Sequence, residues 1–72
     1  MQIDQNVLQD LLETSSRFRM LYEEHSLFEK RLAEFEKKGF LSAQDEVEIL
    51  NVKKMKLAGK DEMERLVARA AE

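Results

Sequence analysis

Between Ser16 and Ala70 apolar residues recur every three or four positions, and the pattern breaks once, at Gly39-Phe40-Leu41-Ser42. Spacings of three and four mark helices with one buried side. A short break between two long helical patterns predicts an antiparallel helical hairpin, because the second helix has no room to travel before it starts. No period-two run of β-branched residues suggests a strand. The chain therefore reads as all-α, one domain over residues 1–72.

Local residues set the expected limits. Val7, Leu8, Leu11 and Leu12 share one side of a short N-terminal helical segment over residues 3–13. Thr14-Ser15-Ser16 interrupts it, since hydroxyl side chains favour helix starts over helix interiors. The first long helix is expected over 16–38. Gly39 follows as a residue that can take the left-handed conformation, with Lys37 and Lys38 in the last turn and Phe40 packing back on Phe35. Ser42, with Asp45 three residues on, opens the second long helix, expected over 42–70.

On the first long helix Phe18, Leu21, Tyr22, His25, Phe28, Leu32 and Phe35 fall on one stripe. Folding the second helix back across a three-residue turn places Phe35 opposite Val47 and Leu32 opposite Leu50. Phe28 then lies beside Lys54, His25 beside Leu57 and Leu21 beside Asp61. The expected hairpin core is thus Phe18, Leu21, Tyr22, Phe28, Leu32 and Phe35 against Val47, Leu50 and Leu57. A second stripe is left over at about 100° per residue: Ile49, Val52, Met55, Gly59, Met63, Leu66 and Ala70. A hairpin covers one apolar face of its second helix. The other must meet the N-terminal segment, another chain or water, and a patch of this size is larger than monomers usually leave exposed. The second stripe is therefore the expected association face, and a homodimer forming a four-helix bundle is its simplest use.

Size supports that expectation. A chain of 72 residues buries only about 60% of its unfolded surface on folding alone, and without cysteine it has neither disulfides nor thiolate metal sites. Charged residues make up 38% of it, with two glycines and no proline, a balance typical of long helices. The net charge of −3 argues against a dedicated polyanion binder. No stretch approaches the ~20 apolar residues of a membrane span, and no signal peptide is legible. These absences fit a cytoplasmic protein.

Few residues invite chemistry. His25 is the only histidine, with Glu29 one turn on as the one obvious co-ligand. A hydrogen-bonded histidine at the edge of the core, reaching a carboxylate such as Asp61 or the Tyr22 hydroxyl, outweighs a base or a metal ligand. No nucleophile–base set and no phosphate loop is present, so neither catalysis, a cofactor nor a metal is expected. Lys53, Lys54, Lys56 and Lys60 form a local cluster, which offers phosphate contacts to a nucleic acid. The blander reading is a solvated face opposite the acidic first helix, without aromatic residues for base stacking. Gly59 inside a helix costs about 1 kcal/mol against alanine and reads either as close approach of another helix or as drift.

Three stretches resemble the YdcH-like family of small bacterial proteins of unknown function. They are Glu23-Glu24-His25 followed by Leu27, Phe28, Glu29 and Leu32; the turn Gly39-Phe40-Leu41-Ser42; and Lys53 to Met63, "KKMKLAGKDEM". The last is similar to that family's "KKxKLxLKDEI" pattern, with Gly59 where a large apolar residue is usual. The resemblance covers roughly residues 16–68. It implies a helical hairpin that associates, and it implies no activity. The expectation is a small interaction module that binds first its own copy, with an unidentified protein as a further partner; a nucleic-acid-associated protein using the lysines is the alternative.

Overall fold

The Ser42–Asp45 pair forms a reciprocal cap: the Asp45 N–H donates to Ser42 Oγ and the Ser42 N–H to the Asp45 carboxylate, each at 3.1 Å. Two unpaired backbone donors are satisfied at once, which fixes a helix start. The computed structural model, which describes residues 3–70, is all-helical. Its helices are α1 (Gln5–Thr14), α2 (Ser16–Glu36) and α3 (Ala43–Ala70). Asp4 caps α1 by accepting from the Asn6 N–H at 2.8 Å. Ser15 lies between α1 and α2 in an extended conformation, and its hydroxyl accepts from the Phe18 N–H at 3.2 Å. The serines of the Thr14-Ser15-Ser16 stretch thus end one helix and start the next.

The end of α2 departs from expectation. The helix stops at Glu36, and the Lys37 and Lys38 N–H groups reach back to the carbonyls of Glu34 and Phe35, a tightening of the last turn. Gly39 does not adopt positive φ. Phe40 is 81% exposed, so it does not pack on Phe35. The Arg31 guanidinium and the Lys38 ammonium lie over the Phe35 ring instead, 4.7 and 5.4 Å from its centroid. The connection therefore runs over residues 37–42, longer than three.

α2 packs most extensively on α3, and α1 touches both. Ion pairs show the relative direction of the long helices. Arg17 near the start of α2 grips Glu62 late in α3 at 2.7 Å, and Arg31 late in α2 pairs with Glu48 early in α3. Lys38 reaches Asp45 beside the turn. The two helices run antiparallel. Leu11, Phe18, Leu21 and Met63 form the buried cluster, and Ile3, Val7, Leu8, Leu12, Leu66 and Val67 pack around it. Phe35 and Val52 are buried further toward the turn.

The two stripes of α3 are reversed relative to the sequence reading. Val52 and Met63, expected on the outer face, are 6% and 0% exposed, and Ile49, Gly59 and Leu66 of the same stripe are half-buried. Of the expected association face only Met55, at 49%, and Ala70 at the end of α3 are exposed. Val47, Leu50 and Leu57, expected in the hairpin core, are 51%, 61% and 59% exposed. On α2, Phe18, Leu21 and Phe35 are buried and Phe28 and Leu32 half-buried, while Tyr22 sits at the surface, stacked on Phe18. The physical reason lies in the charges. Lys54 and Asp61 fall in line with Val47, Leu50 and Leu57, and turning that stripe inward would bury both. The stripe from Ile49 to Ala70 carries no charge along its centre and continues far enough to meet α1.

Candidate association surface

The back of α3 carries Val47, Leu50, Lys54, Leu57 and Asp61, spaced three, four, three and four. At about 100° per residue they centre on the side opposite Val52 and Met63. Three large apolar side chains more than half exposed in one row, on a helix whose other side is already packed, form an uncovered helix face. Phe40, one heptad before Val47, is exposed at the turn end of the same molecule. Exposed apolar residues also occur elsewhere, at Met20 and Leu27 on α2 and at Met55. They are set apart in angle from the row on the back of α3 and do not extend it.

One flank of the row is charged and the other is neutral. Glu46, Lys53 and Lys60 lie along one side; Gln44, Asn51 and Ala58 lie along the other. The ion pairs of the described residues use neither Glu46 nor Lys53. This arrangement can seat another helix: an apolar seam with charges along one flank open to a partner. Periodicity revealed the row, but the inward assignment hid its use. The signal that marks it as outward is the pair Lys54 and Asp61 within it.

The lysine cluster is divided by the fold. Lys53, Lys56 and Lys60 line the groove between α2 and α3, above Leu32 and with Leu57 at its rim, and Lys54 lies on the back of α3. The groove holds about 470 Å³ where it also includes Glu29, Glu36, Phe35, Leu41 and Ile49. Lys56 is 4.0 Å from Glu29. Acidic side chains of α2 therefore border the lysines, as expected for a face opposite the acidic first helix.

His25 is mostly buried, and its Nδ1 lies 3.1 Å from Glu29 Oε1. Its partner is thus a carboxylate, but the one a turn along its own helix in place of Asp61 or the Tyr22 hydroxyl. Among the described residues no three His, Cys, Asp or Glu side chains come together as a metal-binding group. Gly59 has open space where a side chain would begin, with nothing within 4 Å of a Cβ placed there. No close helix approach requires the glycine. Near the turn, the Ser42 backbone N–H first, and then the Lys38 ammonium, hold the Asp45 carboxyl below the usual carboxylate range.

No helix of the described residues is long and apolar enough to cross a membrane. A family model described as "Protein of unknown function (DUF465)" matches residues 18–67, the span of α2, the turn and most of α3, in accord with the YdcH-like resemblance. No curated protein and no solved structure matches the chain.

Proposed function

The chain belongs to the DUF465 family of proteins of unknown function, and we propose that it is a non-catalytic helical-hairpin module that works in the cytoplasm by protein–protein contact, first with its own copy. The observation that carries this reading is the row Val47, Leu50 and Leu57 along α3, each more than half exposed, with Leu57 also at the rim of the groove toward α2. Burying apolar surface stabilises by about 25 cal/mol per Å², and three such side chains from each of two copies supply a gross gain that opposes the entropy cost of association. Two hairpins joined back to back through α3 bring four long helices together. A nucleic-acid role has less support, because Glu29 and Glu36 border the lysine groove and Lys54 points elsewhere. Sedimentation equilibrium over a wide concentration range tests the proposal. The parent chain is expected to self-associate and Leu50→Glu to remain monomeric with its helicity intact. A parent that stays monomeric at every concentration removes the reading.

A further inference from the structure

We infer that the partner on the back of α3 is a second copy of α3 in antiparallel orientation, in the register that sets Val47 beside the partner's Leu50 and Glu46 beside the partner's Lys53. This rests on the self-association proposed above and adds what that proposal leaves open, the orientation and the register. The row from Val47 to Asp61 has the three–four spacing of a helix–helix seam. Charge decides among the ways two such rows can meet.

A parallel pairing matches each residue with its own copy. Lys54 then faces Lys54 and Asp61 faces Asp61 inside the seam, and Lys60 on the flank comes beside Arg65 of the other chain. Like charges brought together out of water repel strongly. An antiparallel pairing centred on residue 52 sets Leu50 against Lys54 and brings Lys53 onto its own copy. Moving by one heptad, so that the two-fold axis passes between Glu48 and Ile49, removes every one of these conflicts. Val47 and Leu50 of the two copies then form one apolar cluster. Lys54 lies beside the small Ala43, from which its stem can carry the ammonium to water. Leu57 comes to the level of Phe40, which is 81% exposed at the turn. On the flanks Glu46 meets Lys53 twice, once on each side of the axis, and Gln44 meets Asn51. Glu46 and Lys53 are free for this: neither takes part in an ion pair among the described residues.

The chain contains no cysteine, so introduced cysteines report the register without background. Ala43→Cys and Lys54→Cys variants, both at exposed positions, are mixed in a glutathione redox buffer and their disulfides counted by intact mass. The register predicts the mixed 43–54 disulfide as the dominant covalent dimer. Each position is separated from its own copy by 11 residues along the axis, about 16 Å at 1.5 Å per residue, so symmetric disulfides are expected to be scarce. A dominant symmetric Lys54→Cys dimer, or no mixed dimer from a chain that sedimentation shows to associate, overturns the register and leaves self-association standing. A chain that never associates overturns both. A charge exchange gives a second readout: Glu46→Lys is expected to weaken the dimer about tenfold, and adding Lys53→Glu to restore it. Failure of the second change to restore the dimer also counts against the register.

Discussion

Met63 and Leu57 give the sharpest test of which side of α3 faces inward. Met63 is fully buried in the cluster with Leu11, Phe18 and Leu21, and Leu57 is 59% exposed. Truncating a buried methionine to alanine typically costs 2–5 kcal/mol, through lost transfer energy and the cavity left behind. A chain of 72 residues has a total stability of roughly 4–11 kcal/mol at the usual value per residue. A loss of about 3 kcal/mol is then more than a quarter of the whole. At about 4–8 °C per kcal/mol for a domain of this size, Met63→Ala lowers Tm by about 12–24 °C. Leu57→Ala, on an exposed helix face where alanine is the better helix former, changes the stability of the dilute monomer by about 0.5 kcal/mol or less. Its cost is expected at high concentration, where it removes apolar surface from the proposed association face. The assay is thermal and urea unfolding followed by circular dichroism at 222 nm, for parent and both variants, over a concentration series. Equal destabilisation by the two variants in dilute protein would refute the assignment of the stripes and put Leu57 back against α2.

Three further outcomes follow from the same geometry. Gly59→Ala is expected to stabilise by about 0.5–1 kcal/mol, because the site is helical and open and the glycine serves no close approach; a lower Tm in the variant contradicts this. Ser42→Ala removes one half of the reciprocal cap at the start of α3 and should cost about 1 kcal/mol in urea unfolding, whereas an unchanged midpoint would mean that the cap contributes nothing. Asp45 has a folded pKa held below its unfolded value, first by the Ser42 N–H and then by Lys38. Its contribution is therefore fully present above the unfolded pKa and is lost as pH falls through the folded one. Urea midpoints of the parent and Asp45→Asn are expected to differ at neutral pH and to converge as pH drops below about 4; a gap that persists to pH 2 would rule out the linkage.

Much of this protein was legible before any tertiary structure. The hydroxyl run Thr14-Ser15-Ser16 marks a helix boundary because its side chains bind backbone N–H groups, and Ser15 does so. Ser42 and Asp45 mark the start of α3 for the same local reason. The inward residues Phe18, Leu21 and Phe35 of α2 follow from period alone, since α2 has one main apolar stripe. The end of α2 was less legible. Gly39 is the usual sign of a left-handed cap, but two i→i+3 bonds closed the helix earlier, at Glu36.

The sequence by itself determined that this chain is helical, where its helices begin, and that α3 has two apolar stripes on opposite sides. Each of these depends on contacts within a few residues, which local propensity and capping report directly. Only the tertiary structure decided which stripe turns inward. The hydrophobic effect has no direction of its own, so two apolar faces of one helix compete, and the choice falls to long-range partners. Here α1 docks beside Met63, Leu66 and Val67, and Arg17 and Arg31 reach Glu62 and Glu48. Lys54 and Asp61 keep to water on the other side. That choice leaves Val47, Leu50 and Leu57 exposed, and it moves the proposed association face to the side of α3 that the sequence reading had placed in the core.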